Sequence, residues 1–209
     1  MKRLLTALAV LALFATAAAQ TLVVGQSGLP VTLDTGQDGN SLTPAIQVVE
    51  RLVGFQQGSA EIEPLLATSW EPNEDSSVWT FTLRPGITFH DGAPCTAHDV
   101  VYSYRRIIDE ELTNAWRFGA VERITAPDEH TVVITVSRPA PDLLSSIGNF
   151  KGMAIVQQAN VESGQIARRP IGTGPFRLDG YRSGDRVTLL AHDGFWGGAP
   201  GIDGVTIRF

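Results

Sequence analysis

The chain has 209 residues, of which 16 are basic and 22 are acidic, and its formal net charge is −6. An acidic chain without a block of basic residues does not suit nucleic acid or an anionic membrane surface as a partner. Cys95 is the only cysteine, so an intrachain disulfide is excluded. A chain of this length can instead bury about 70% of its unfolded surface in a core.

The first 19 residues have the three-part pattern of a cleaved secretory signal peptide. Lys2 and Arg3 precede an apolar run at 4–14, and Ala17 and Ala19 stand where a signal peptidase would cut. The run is shorter than the roughly 20 residues of a membrane-spanning helix, and a buried N-terminal helix is the alternative. Cleavage would take the formal charge from −6 to −8. Because no cysteine stands directly after the run to accept a lipid, we expect a freely soluble periplasmic protein.

The segment after this predicted signal peptide indicates a strand, a loop and a helix in that order. Residues 21–24 predict a short buried strand, and a turn-rich loop follows at 25–40. Thr43 in the capping position and Pro44 at the first helical position predict a helix. Its apolar stripe would consist of Ile46, Val49, Leu52 and Val53.

The middle of the chain alternates between strand and helix patterns. Residues 78–84 have period two, with Trp79, Phe81 and Leu83 on one side, and a Pro-Gly turn follows. Thr96 and Asp99 have capping-box spacing and predict a helix. That helix would bury Val100, Tyr104, Ile107 and Ile108. An alternating strand is predicted at 130–137, with Val132, Ile134 and Val136 on one side, then a short helix at 142–147 and a strand at 153–156.

The last part of the chain is predicted to be a linker followed by strands. Residues 157–169 are polar and unpatterned, which indicates a linker. Residues 170–176 predict a tight turn entering a strand, and 187–191 and 205–209 predict two more strands. Because the sequence stops inside a strand-like run, we interpret it as truncated.

Three groups of residues could carry chemistry, and each has a simpler structural interpretation. A zinc site usually combines two paired groups of ligands, whereas a turn and a capped helix explain His90, Asp91, Cys95, His98 and Asp99. The segment 172–174 lacks the Lys-Ser or Lys-Thr pair of a phosphate loop. Ser27 lacks the second glycine of a nucleophile elbow. We therefore predict no metal site, no cofactor and no enzymatic activity.

Three segments together resemble a known family. The first is 63–70 with the acidic turn Glu74-Asp75, and the second, which is the clearest, is 79–101. The third is 170–176 with the later Phe195-Trp196-Gly197-Gly198. In this order and approximate spacing they resemble the extracellular solute-binding proteins of family 5, the peptide and nickel receptors of ABC importers. Segment 79–101 is a strand, a turn and a capped helix, so we interpret it as scaffold rather than as a binding motif.

The resemblance implies an α/β fold of the periplasmic binding protein-like type II class, with two lobes. Residues 20–49 and 170–209 would form the first lobe, 50–169 a small added α+β domain, and the second lobe would be absent. The implied function is capture of a peptide or a related small solute for ABC permease subunits of the inner membrane, by a monomer. Nickel, haem and sugars stay open as ligands. The alternative function is that of a truncated structural or interaction remnant that binds no solute.

The resemblance also suggests, by analogy, which residues line the ligand cleft. Backbone amides and carbonyls of a loop and a turn could pair with an extended peptide, strand to strand. The alternative is that both segments are ordinary turns that shape the lobe. The predicted ligand-binding residues are Leu29, Pro30, Thr32, Leu33, Asp34, Gly172, Thr173 and Gly174.

Overall fold

The computed structural model describes residues 20–37, 42–148 and 151–209, so the predicted signal peptide lies outside the described residues. The strands are β1 (Thr21–Gly25), β2 (Val53–Phe55), β3 (Ile62–Pro64), β4 (Ala67–Pro72), β5 (Val78–Leu83), β6 (Val121–Asp128), β7 (Thr131–Val136), β8 (Phe176–Arg182), β9 (Arg186–Ala191) and β10 (Gly204–Arg208). The helices are α1 (Leu42–Ala45), α2 (Ala97–Asp109), α3 (Leu143–Gly148) and α4 (Gln158–Glu162), with 3-10 turns at Ala115–Phe118 and Lys151–Met153. Within these ranges, every helix is too short or too polar to span a bilayer.

The first sheet has the strand order β1-β10-β9-β8. β1 pairs with β10 in parallel, and the other neighbours are antiparallel. One face is buried because Val187, Leu189, Val205 and Ile207 pack against Leu33, Val48 and Val49. The predicted strands at 187–191 and 205–209 are therefore confirmed, and so is the strand entered after 170–176.

The predicted strand at 21–24 is confirmed as β1, but the prediction that it is buried is wrong. Leu22, Val23 and Val24 are between 37% and 60% exposed. The physical reason is position: among the described residues β1 pairs only with β10 and forms the edge of the sheet. An apolar run of four residues cannot by itself distinguish a central strand from an edge strand.

The second sheet has the order β4-β5-β7-β6 and packs against α2. Both period-two predictions are confirmed, since the inward residues are buried on one face: Trp79, Phe81, Leu83, Val132, Ile134 and Val136. The capping box is confirmed as well. The Thr96 hydroxyl accepts the His98 amide at 3.3 Å, and the Thr96 amide donates to Asp99 Oδ2 at 2.9 Å.

The prediction of one helix extending to Val53 is wrong. α1 ends at Ala45, and Val53 begins β2, which pairs with β3. The Ala67 amide donates to the Leu52 carbonyl at 2.8 Å, so this carbonyl is held by a neighbouring strand instead of a helical turn. Leu52 and Val53 are fully buried, as an apolar stripe requires, but Leu52 lies at a bend and Val53 in a strand.

Two predictions for 153–169 also need correction. Residues 153–156 form no strand: the Ile155 amide bonds the Glu50 carbonyl, and the Val156 amide bonds Ser103 Oγ at 2.9 Å. Residues 157–169 are not an unpatterned linker, because they contain α4. The Asn160 side chain bonds Arg169 O and Ile171 N, which holds this segment in place.

The buried apolar residues of the described chain form two clusters, and the chain crosses between them more than once. Leu52 and Ile155 belong to the larger cluster, around β5, β7 and α2. Val49 and Ala154 belong to the smaller cluster, around the first sheet. The chain therefore passes from the smaller cluster to the larger at 49–52 and touches the smaller again at Ala154, whose neighbours Met153 and Ile155 belong to the larger cluster. It returns to the smaller cluster between Ile155 and Phe176. The division into 20–49, 50–169 and 170–209 stays a prediction.

Candidate functional site

The loop after β1 lies at the carboxyl end of the parallel β1–β10 pair, where ligands of open α/β sheets usually bind. Val31, Thr32 and Gln37 line one side of a groove of about 530 Å³ there. Tyr181 and Ser183, from the end of β8 and the turn after it, line the same groove. The sheet edge and the loop together thus form a concave surface.

A buried ion pair fixes this loop to α2. Arg106 donates from both terminal nitrogens to Asp34, at 2.6 Å to Oδ2 and 3.2 Å to Oδ1. The two side chains are 5% and 0% exposed. The Gly36 amide also donates to Asp34 Oδ1, at 3.0 Å. A bidentate arginine–carboxylate pair defines orientation as well as distance, so the loop has one position on the helix.

Two further bonds hold the outer part of the loop in place. The Tyr181 hydroxyl donates to the Pro30 carbonyl at 2.7 Å, and the Leu33 amide donates to the Ala167 carbonyl at 2.9 Å. Pro30, Leu33 and Asp34 are buried, Thr32 is half-buried and Leu29 is exposed. The outer residues are thus accessible to a ligand, and the inner ones support them. That any of them binds a ligand stays a prediction.

The turn at 172–174 is packed against the backbone of the segment after α1. The Gly174 amide donates to the Val48 carbonyl at 2.9 Å. A Cβ on Gly172 would lie 2.0 Å from that same oxygen, so only glycine fits this approach. Gly172, Thr173 and Gly174 are all buried. The turn is therefore packed against the segment that follows α1. Its role in ligand binding stays a prediction.

His90 clamps the same turn from the other side. Its amide donates to the Gly172 carbonyl, and its Nε2 bonds the Gly174 carbonyl at 2.9 Å. Burial lowers the pKa of His90 to about 4, although the bond to the Gly174 carbonyl acts in the opposite direction. His90 is therefore neutral at pH 7, with its proton on Nε2.

Glu50 and Trp196 form a buried contact that the sequence analysis missed. Trp196 Nε1 lies 3.0 Å from each Glu50 carboxyl oxygen. Burial raises the pKa of Glu50 from its ordinary 4.5 to about 7, against the opposing effect of the Trp196 bond. The Arg84 guanidinium stacks on the Trp196 ring at 3.9 Å from its centroid. No sequence pattern indicates a pair separated by this many residues.

A second groove, of about 1130 Å³, adjoins the first. The two share Arg168 and Tyr181. Gln157, Asn160 and Asp179 also line the larger groove. It was not anticipated from the sequence, because its wall comes from α4 and the residues after it, which were predicted to be a linker.

The residues once considered for metal binding have structural contacts. Asp91 accepts a bond from Gln157 Nε2 at 2.8 Å, and Asp99 belongs to the capping box. Burial raises the pKa of the Cys95 thiol well above its usual range, which leaves the thiol unreactive. Across 20–37, 42–148 and 151–209, no three histidine, cysteine or carboxylate side chains come together as a metal site would need.

Comparison with known proteins then decides the family. Residues 61–209 match the family model described as bacterial extracellular solute-binding proteins, family 5 Middle. The chain belongs to this family. The α/β periplasmic binding protein-like fold of type II is confirmed by the solved structures that it resembles.

Among curated family 5 proteins, the chain is 32% identical to the probable D,D-dipeptide-binding periplasmic protein DdpA of Escherichia coli (strain K12). That alignment covers 90% of this chain and 39% of the relative. The chain is 31% identical to heme-binding protein A of Haemophilus influenzae, over 77% of this chain and 34% of the relative. The chain thus spans well under half the length of these relatives.

Two solved structures show the fold closely. MoaA from A. tumefaciens R10 in complex with mannopinic acid has a TM-score of 0.85 at 36% identity, covering 92% of this chain and 41% of its own. The periplasmic binding protein DppA of Helicobacter pylori, in complex with the peptide STSA, has a TM-score of 0.81 at 26% identity. This second match covers 90% of this chain and 42% of that one.

Proposed function

We propose that this chain supplies one wall of the ligand cleft of an ABC-importer receptor. It captures a peptide or a related small solute outside the inner membrane and delivers it to permease subunits. The observation that carries the proposal is the family 5 match over residues 61–209. The groove at the carboxyl end of β1 supports it, because that is where such sheets bind ligands.

The ligand we propose is a peptide, ahead of other small acids. Relatives of the chain include dipeptide-binding and di/tripeptide-binding proteins, and one structural neighbour holds the peptide STSA. The joined grooves offer charges of both signs, with Arg168 at their common rim and Asp179 in the larger one. A zwitterionic peptide has a carboxylate that could pair with Arg168 and an ammonium group that could pair with Asp179. Neither Arg168 nor Asp179 is among the ligand-binding residues predicted from the sequence.

The location we propose is the periplasm, reached through a signal peptide that is cleaved after Ala19. Relatives named as periplasmic support it. The protein would act there as a non-catalytic monomer, with the permease as its protein partner.

NMR titration of the isotopically labelled chain with a tetrapeptide tests the proposal. We expect weak binding, in the millimolar range, because good sites bury 70–90% of a ligand and one wall cannot. Amide shifts should concentrate at Val31, Thr32, Tyr181 and Ser183. Val31→Glu, in the groove, should abolish them, whereas Val23→Glu, on the exposed face of β1, should leave them unchanged.

Each outcome of that titration is decisive. Shifts at the groove that Val31→Glu removes support the proposed wall. Shifts centred elsewhere, or equal effects of both variants, contradict it. A complete lack of shifts at the solubility limit of the peptide would favour the non-binding remnant. Micromolar affinity would contradict the reasoning that one wall leaves most of the ligand in water.

A further inference from the structure

Glu50 lies where the chain crosses from the smaller hydrophobic cluster to the larger one, between Val49 and Leu52. The residue is 7% exposed. Its carbonyl accepts the Ile155 amide at 2.8 Å, next to the second crossing. A carboxyl group therefore occupies the junction between the two clusters, where an apolar side chain would be expected.

The carboxyl group has fewer donors than a buried carboxylate needs. Trp196 Nε1 is shared between its two oxygens, each at 3.0 Å. The Thr173 hydroxyl is buried beside it and lowers the pKa of Glu50, although the contact falls outside ordinary hydrogen-bond geometry. The ion pairs seen among the described residues do not include Glu50. Burying a carboxylate without an ion pair is unfavourable, because the charge loses its hydration.

The charged and titratable groups around Glu50 come from three segments. Arg84, at the end of β5, stacks on the Trp196 ring, and Arg51 is the next residue in the chain. Both lower the pKa of Glu50, but burial raises it more. The buried Cys95 thiol is the third group, and its own pKa is raised partly by Glu50. Neither arginine offsets the burial of the carboxylate.

We propose that Glu50 is a proton-dependent latch at this junction: its neutral carboxyl group holds Trp196 and the 172–174 turn, and its ionisation loosens them. The neutral form supplies a hydroxyl that can donate to Thr173 Oγ while the other oxygen accepts from Trp196. The ionised form keeps the Trp196 and Thr173 donors, but it leaves a buried charge that none of the ion pairs seen among the described residues offsets. A cavity of about 300 Å³, lined by Glu50, Arg51, Leu65 and Phe195 among others, gives the junction space to rearrange.

The direction of the effect follows from the pKa of Glu50, which is raised to about 7 in the folded chain from an ordinary 4.5. The folded state then binds a proton more tightly than the unfolded state does. The latch is fully closed below pH 4.5 and opens as the pH rises through 7. This inference concerns the junction alone and does not depend on which ligand the chain binds.

Carboxyl-carbon NMR of the glutamate-labelled chain between pH 4 and 9 tests the latch directly. We expect Glu50 to titrate near pH 7 and the Trp196 indole N–H signal to move with the same midpoint. Trp196→Phe, which identifies that signal, should shift the Glu50 midpoint upward because it removes a donor to the carboxylate.

Urea unfolding of Glu50→Gln gives an independent test. Relative to this variant, the folding equilibrium constant of the wild type should fall about 150-fold between pH 4.5 and pH 8, because the pKa of Glu50 is about 7 in the folded chain and 4.5 in the unfolded chain. Glu71→Gln should show no such change relative to the wild type. A Glu50 midpoint near 4.5 overturns the latch, as does a Trp196 signal that titrates equally in Glu50→Gln. If Glu50→Gln does not fold, the wild-type titration still decides.

Discussion

The Asp34–Arg106 ion pair offers the sharpest test of how the loop after β1 is held against α2. Arg106→Met keeps most of the side-chain length and removes the charge. It leaves the Asp34 carboxylate, which is fully buried, without its counterion. Removing one partner of a buried ion pair costs about 3–5 kcal/mol, because the remaining charge stays desolvated. The loss of the second bond, from Arg106 to the half-exposed Glu110, adds little.

Urea unfolding followed by circular dichroism measures this loss, and thermal unfolding should show a fall in Tm of roughly 6–20 °C. Arg182→Met is the matched control. Arg182 also pairs with an aspartate, Asp185, but at 3.6 Å and with its side chain 72% exposed. This control should cost less than about 1 kcal/mol.

A double-mutant cycle separates the pair from its surroundings. Asp34→Asn combined with Arg106→Met should cost clearly less than the sum of the two single losses, because the double variant buries no lone charge. Additive losses, or a loss for Arg106→Met no larger than that of the control, would refute the conclusion that this ion pair anchors the loop.

Three other substitutions test particular contacts. Gly172→Ala forces a Cβ against the Val48 carbonyl and should cost about 1–3 kcal/mol by urea unfolding, whereas Gly25→Ala meets nothing within 4 Å and should be nearly neutral. Thr96→Ala removes the cap of α2 and should cost about 1 kcal/mol by the same measurement; a loss near zero would contradict the capping box. His90, with its pKa near 4, stabilises the fold above pH 6.5 and loses this effect as the pH falls to 4, so His90→Gln should remove about 3 kcal/mol of pH dependence in that range. If His90→Gln shows the same dependence of stability on pH as the wild type, His90 is not the cause of that dependence.

Opposite pH dependences at Glu50 and His90 make single-variant comparisons necessary. The raised pKa of Glu50 lowers stability as the pH rises from 4.5 to 7, and the lowered pKa of His90 raises stability from 4 to 6.5. The two shifts are similar in size, so the stability of the wild-type chain should change little between pH 4.5 and 6.5. Only the difference between wild type and each variant reveals either group.

Local sequence patterns were sufficient to predict those helices and strands that bury one apolar face. β5, β7 and α2 were predicted because period-two and capping patterns depend on neighbours in the sequence. Their predicted inward residues are buried except Ile108 of α2, which is half-buried. The prediction failed at 46–53, where four apolar residues fit a helical stripe. There the Leu52 carbonyl is held by the Ala67 amide, a contact that no local pattern contains.

The candidate site was only partly predictable for the same reason. The turn-rich composition of 25–40 indicated a loop, and the structure places Val31 and Thr32 in a groove. Neither the Arg106 anchor nor the Tyr181 bond to Pro30 could be inferred, since each partner lies more than 70 residues away. The contact between Glu50 and Trp196 could not be predicted either, because the two residues are far apart in the sequence and only the tertiary fold brings them together.

The exposed edge strand β1 has a consequence for how this polypeptide behaves at high concentration. Residues 21–25 carry no charge and no proline, the two features by which sheet proteins usually protect an edge. Leu22, Val23 and Val24 are accessible together on that edge. A second strand could add there by backbone pairing alone, without any complementary side chains. β1 is therefore a site where two copies of the chain could pair, and Val23→Lys would be the simplest substitution to block that pairing.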